Sequence, residues 1–178
     1  VSSAASDVYK RQGHREPFVA RWPGKIKPGS VSHQVICLND LFATCADILG
    51  GKLPAKAAED SVSILPCLLG TATGPVREAT IHQAPGGLAI RQGPWKLVSH
   101  RSGEQELFNL ESDIGETKNV LAANEEVVKR LTRLMQSYID RGRSTPGTAQ
   151  KNAVELSVSF GGKDNKKKRR RKARKQES

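Results

Sequence analysis

Between Arg77 and Leu110 apolar positions alternate with polar ones, and between Asn124 and Gly142 they return every third or fourth residue. The first rhythm belongs to strands with one face covered, the second to a helix with one apolar stripe. Four segments carry the alternation: "REATIHQ", "LAIRQ", "WKLVSH" and "QELFNL". The middle two meet at Gly93-Pro94, and proline, having no N–H for a ladder, belongs at the bend of a hairpin. In "NEEVVKRLTRLMQSYID", Val127, Val128, Leu131, Leu134, Met135, Tyr138 and Ile139 fall on one helical face. Asn124 is placed to cap that helix, Glu125 and Glu126 suit the positive end of its dipole, and Arg141 suits the negative end. A helix laid across a small antiparallel sheet is an α+β unit. It is expected over residues 77–147, with its helix at about 124–142.

Upstream the pattern is shorter in range. "FVARW", residues 18–22, is apolar at four of five positions and closed by Pro23-Gly24, which predicts a strand covered on both faces. "KIKPGSVSHQ" reads as a loop. In "LFATCADILGG", Leu41, Cys45, Ile48 and Leu49 recur at helical spacing, with Asn39 or Asp40 as cap and Gly50-Gly51 as exit. A shorter packing helix is predicted at "SILPCLLG", with Ser63 as cap, Pro66 in the first turn and Gly70 as terminator. "RSTPGTAQKN", after Gly142, reads as a loop.

Length and charge limit what these elements can be. A chain of 178 residues, 37% hydrophobic and 26% charged, suits one globular domain rather than two. No run approaches the roughly 18 apolar residues of a membrane span, and the first residues lack a basic segment followed by an apolar one, so the expectation is a soluble chain. The net charge of +11 suggests nucleic-acid binding until it is located. Residues 163–178, "KDNKKKRRRKARKQES", hold ten Lys/Arg against two acids, so eight of the eleven charges sit there and the body is nearly balanced. Residues 148–178 are therefore expected to form a solvated, disordered basic tail. Residues 163–178 could hold polyanions nonspecifically through phosphate neutralisation, without aromatic side chains to stack bases. Cys37, Cys45 and Cys67 are odd in number, form no C-x-x-C and lie among apolar neighbours, which predicts buried free thiols. His14, His33, His82 and His100 form no metal-ligand spacing, so no self-contained zinc site is expected.

"GHREPFVARWPGKIKPGSVS" with "LNDLFATCADILG", then "SILPCLLG", "AIRQGPWKL" and "ELFNLESDIGETKNV", resembles the C-terminal portion of a type I sulfatase, most similar to bacterial arylsulfatase A-like members. The likeness runs from Gly13 to about Gly147, in order, and five successive motifs make it specific. It implies an α/β, alkaline-phosphatase-like fold. Residues 13–76 would be a remnant of the domain with the large mixed sheet, and 77–147 the small C-terminal antiparallel sheet covered by one helix. The same resemblance implies hydrolysis of sulfate esters of a sulfated small molecule or polysaccharide, in a parent enzyme that is exported. It also implies a formylglycine, made from Cys or Ser within C/S-x-P-x-R, and a divalent ion, usually calcium. A sulfate ester needs such an oxygen nucleophile, with positive charge fixed against its developing oxygens. None of the three cysteines is followed by x-Pro-x-Arg, and the family's metal ligands map upstream of Gly13, so no catalytic or metal residue carries over. The expected remaining role is scaffold and cleft rim.

Two residues are implied to lie on the substrate side. His14 is nearest in chain to where the family places a sulfate-binding lysine. His82 lies in the strand feeding Gly86-Gly87, in a unit whose loops border the family's cleft; a surface histidine is the competing reading. Arg15 and Glu16 are read as a local ion pair, Arg91, Trp95 and Lys96 as packing or pairing groups, and Asp113, Glu116 and Asn119 as a turn whose Asx side chains hold loop amides. Where relatives read Glu-Gly-Gly before "HREP", this chain has Arg11-Gln12-Gly13. Residues 1–12, "VSSAASDVYKRQ", resemble translated adapter sequence and are set aside from the fold.

Two other functions fit parts of the sequence. A phosphonate or phosphodiester hydrolase would share the superfamily fold and differ at the nucleophile. A basic nucleic-acid-binding protein would act through the tail. In the sulfatase reading, deleting residues 163–178 abolishes binding to mixed-sequence RNA, measured by filter retention at low salt; affinity that survives the deletion supports the nucleic-acid reading.

Overall fold

The computed structural model describes residues 17–84, 86–153, 156 and 158. His14, Arg15, Glu16, residues 1–12 and the basic segment 163–178 lie outside them. The alternating region forms four antiparallel strands in chain order, β1 (Thr80–Ala84), β2 (Gly87–Gln92), β3 (Trp95–His100) and β4 (Gln105–Asn109). Ile81 stands opposite Ile90, Ile90 opposite Leu97, and Leu97 opposite Leu107, so one apolar row crosses the whole sheet. The bend falls at Gly93-Pro94 as expected, and the Pro94 carbonyl accepts from Leu110 N at 2.7 Å. Gly87 begins β2 where an added Cβ would meet the Ser99 carbonyl oxygen at 2.1 Å, so no larger residue fits this pairing.

The row of Ile90, Leu97 and Leu107 is covered by α3 (Glu125–Arg141), through Leu131, Met135, Tyr138 and Ile139. Gly142 ends the helix at φ 60°, with its N–H on the Ile139 carbonyl. A Cβ there would strike the Gln150 carbonyl, because the chain folds back: Gln150 N donates to Arg141 O and Asn152 Nδ2 to Ile139 O. Val158 completes the same core. Gln150, Asn152, Leu156 and Val158 thus lie against the helix or the core it covers. On the opposite face of the sheet Ala89, Val98, Phe108 and Leu110 form a second buried cluster.

Two helices precede the sheet, α1 (Asp40–Ile48) and α2 (Leu65–Leu68). Neither uses the cap the sequence suggests. Asn39 is already helical at φ −64°, so its side chain turns outward and donates to the Asp60 carbonyl. Asp40, the other candidate, accepts from Cys37 N at 2.7 Å ahead of the helix, and it is Ser61 Oγ that accepts from the first-turn Ala43 N. At α2 the N-cap is Ile64, although Ser63 Oγ still accepts from Leu65 N. Asn124 of α3 likewise spends its amide on the Val120 carbonyl. The strand expected at 18–22 does not form: these residues have no ladder partner, and Val19 is 92% exposed. A strand is defined by its neighbour, and the described residues supply none.

Lys96 and Glu116 form a buried ion pair, Nζ lying 3.0 and 2.8 Å from the two carboxylate oxygens. Glu116 reaches it from a backbone at φ 53°, in the left-handed region. The preceding turn is held as the sequence suggests. Asp113 accepts from Thr117 N and Lys118 N, and Asn119 Oδ1 accepts from Leu107 N and Leu121 N. Tyr138 donates its hydroxyl to Glu78 at 2.8 Å.

Removing Lys96 takes away the ammonium that meets both oxygens of the buried Glu116 carboxylate, so Lys96→Ala is expected to cost about 3–5 kcal/mol in urea unfolding. Burial, with the Glu78 hydrogen bond, pushes the Tyr138 hydroxyl far above its ordinary value of about 10. The folded chain therefore keeps a proton that the unfolded chain begins to lose near pH 10. This contribution is fully present below that pH and declines as pH rises above it. Tyr138→Phe should flatten the alkaline decline in unfolding free energy measured between pH 9 and about 11.

Candidate functional site

A cleft of about 700 Å³ opens between α1 and the rim of the sheet and helix. β1 contributes His82 and Gln83, α3 contributes Tyr138, and the preceding loops contribute Asn39, Asp60 and Arg77. His82 is half-buried and pairs through its backbone with Ala89 of β2. Strand alternation puts Ile81 with the row facing α3 and sends the His82 side chain to the other face. His82 is nonetheless among the residues that line this cleft, at the edge strand β1, whereas His14 lies outside the described residues.

The polar floor of the cleft is a network centred on Arg77. Its Nη2 donates to Asp40 Oδ1 at 2.8 Å and to the Asp60 carbonyl at 2.9 Å, while Nη1 lies 3.0 Å from Cys37 Sγ. Asp40 also accepts from Val62 N. Asp60 Oδ1 accepts from both Ser144 N and Ser144 Oγ. Arg143 donates to the carbonyls of Thr145, Ala55 and Thr148, tying the two loops together. Both guanidinium groups are therefore engaged within the protein. Sequence reading missed Arg77, Asp60 and Arg143, because their partners lie 17 to 88 residues away. It used Asp40 only as a possible cap.

Two of the thiols are made poorer nucleophiles by burial. Burial pushes Cys37 up from its ordinary value, against the opposing pull of Arg77, and burial likewise raises Cys67. All three cysteines are free, but none is buried as expected: Cys37 and Cys67 are half-buried, and Cys45 is exposed because α1 turns its Asp40–Thr44 side inward. The carboxylates present do not suit a calcium ion, which takes six to eight oxygens at about 2.3–2.6 Å. Asp40 is saturated by Arg77 and two backbone amides, and Glu116 is held by Lys96. Among the described residues no three His, Cys, Asp or Glu side chains converge as metal ligands. No helix among them is long and apolar enough to cross a membrane. The cleft can bind and orient a polar ligand; it holds no group set to attack one.

No protein-family model matches the chain. It is 33% identical to an N-acetylgalactosamine-6-O-sulfatase of Bacteroides thetaiotaomicron over 145 residues, 72% of this chain and 28% of that protein. It is 32% identical to arylsulfatase A of Bos taurus over 142 residues, 65% of this chain and 28% of that protein. A solved structure from work on glycosaminoglycan metabolism by Bacteroides thetaiotaomicron superposes with TM-score 0.58 at 32% identity, covering 66% of this chain and 27% of the other. Another, Ps i-CgsB in complex with k-i-k-neocarrahexaose, shares the fold with TM-score 0.58 at 21% identity, over 72% of this chain and 30% of its own. The chain spans less than a third of the length of these proteins. From the sequence matches and the shared architecture, the chain belongs to the type I sulfatases of alkaline-phosphatase-like fold and corresponds to their C-terminal portion.

Proposed function

We propose that this chain serves as the C-terminal part of a sulfatase hydrolysing sulfate esters of a carbohydrate, supplying scaffold and cleft rim. The observation that carries the reading is its 33% identity to an N-acetylgalactosamine-6-O-sulfatase over 72% of its length. In this reading residues 13–76 belong with the catalytic part of the enzyme and 77–147 form the rim unit. The formylglycine and calcium of the family, which supply the nucleophile and the fixed positive charge, would be held by residues other than those described here. His82 is the group we assign to substrate, with His14 as a second candidate. An imidazole on the cleft wall can donate a hydrogen bond to a sugar hydroxyl or a sulfate oxygen. Arg77 positions the wall, since its Nη1 and Nη2 are directed at Asp40, Asp60 and Cys37.

Two measurements test the reading. The isolated chain should release no sulfate from an aryl sulfate or from N-acetylgalactosamine 6-sulfate with calcium present. In a chimera whose last 28% of the Bacteroides thetaiotaomicron sulfatase is replaced by residues 13–178 of this chain, turnover should persist, and His82→Ala should raise KM about tenfold with little change in kcat. A chimera that folds but is inert, or turnover by the isolated chain, would overturn the proposal.

A further inference from the structure

The positive charge of this protein is concentrated in one segment. Of the net charge of +11, residues 163–178 hold +8, with ten Lys/Arg against Asp164 and Glu177. Within them residues 166–175, "KKKRRRKARK", are basic at nine of ten positions and include no acid. The cleft has little such charge to offer. Arg77 is engaged by Asp40, the Asp60 carbonyl and Cys37, and Arg143 by the carbonyls of Thr145, Ala55 and Thr148. Among the described residues no lysine lines it. A ligand with many anionic groups therefore meets its main counter-charge in the basic segment.

The fold fixes where that segment is rooted. After Gly142 the chain turns back on α3, with Gln150 N donating to Arg141 O and Asn152 Nδ2 to Ile139 O. Asn152 and Leu156 line the same cleft as His82, and Val158 is buried in the core between sheet and helix. Lys163 follows Val158 by five residues, and an extended chain spans at most about 3.6 Å per residue, so the first basic side chain starts within about 18 Å of that anchor. We propose that residues 163–178 are a second binding site, which holds the flanking sulfate groups of a polysaccharide whose reacting sugar occupies the cleft. The inference rests on the function proposed above and narrows its substrate to a polymer bearing many sulfates. A basic segment attracts any polyanion by releasing counterions, but this one has no aromatic side chain to stack on a base and no apolar residue beyond Ala173 to enter a lipid layer. Its root, by contrast, lies at a wall of hydrogen-bonding groups, among them Asn39, His82, Gln83 and Asn152, that suit sugar hydroxyls. Two sites on one chain make the second contact intramolecular, so a polymer gains affinity that a single sulfated sugar does not.

The test measures affinity of the 178-residue chain for chondroitin 6-sulfate by calorimetry over a series of salt concentrations. Deleting residues 163–178 should lower that affinity at least about thirtyfold at low salt and flatten its dependence on salt. Val158 and the core stay in place in this variant; if its melting temperature falls, Gln at the nine Lys/Arg of residues 166–175 replaces the deletion. Inserting about forty Gly/Ser residues between Gly162 and Lys163 keeps every charge but dilutes the segment around the cleft, since effective concentration falls as about the −3/2 power of tether length. Affinity for the polymer should then drop about fivefold or more, whereas affinity for mixed-sequence RNA, which engages the segment alone, should not change. An intact chain that does not bind the polymer, or binds it equally without the basic residues, overturns the proposal. So does polymer affinity indifferent to the insertion, which detaches the segment from the cleft. Binding about tenfold tighter to RNA, or to phosphatidylcholine vesicles with about a third phosphatidylserine, assigns the segment to those partners and overturns it as well. Turnover is read in none of these arms. An inert chimera with intact polymer affinity removes only the sulfatase function, and an active chimera whose chain fails the binding tests removes only the second site.

Discussion

The ion pair between Asp40 and Arg77 is the constraint on which the arrangement depends. Both side chains are almost wholly withdrawn from solvent, and a charge in that position is tolerable only when a partner of opposite charge and further hydrogen bonds satisfy it. Asp40 meets that condition by collecting Arg77, Cys37 N and Val62 N. In doing so it draws the start of α1, the loop after Asp60 and the entry to β1 to one point. Ser144, Arg143 and Thr145 extend the same lattice to the end of α3. The layer of small helices is attached to the sheet and its covering helix mainly by polar contacts of this kind, while the apolar core stays within the sheet and α3.

That division of labour explains the odd polarity of α1. A helix ordinarily turns its apolar stripe toward the core of its own chain. Here the directional demand of a buried carboxylate fixes the rotation of the helix, and the apolar stripe is left on the opposite side. The same geometry accounts for the chemistry of the cleft. Its arginines are engaged by carboxylates and carbonyls of the chain, and burial raises the one thiol that lines it, Cys37.

The strands, the hairpin bend and α3 were legible because each depends on contacts between residues close in sequence: alternation for β1 to β4, proline at the bend, and a three-four rhythm from Val127 to Ile139. The family was legible because five motifs recur in order. The caps were not. Asn39, Ser63 and Asn124 all have the right chemistry, yet the amide of Asn39 finds the Asp60 carbonyl and that of Asn124 the Val120 carbonyl. A cap competes with every other acceptor in reach, and sequence does not reveal which acceptors those are.

The amino-acid sequence by itself determined the local periods of this protein, the sheet that follows from them, the helix that covers it, and the kinship with sulfatases. Tertiary structure alone decided which side of α1 faces inward, that Arg77 and Arg143 are occupied, that residues 18–22 form no strand ladder among the described residues, and that His82 lines a cleft with Tyr138 and Asp60. The reason is physical. Period and propensity act over a few residues, whereas a buried charge is satisfied by whatever the fold brings to it, and for Asp40 that partner stands 37 residues away.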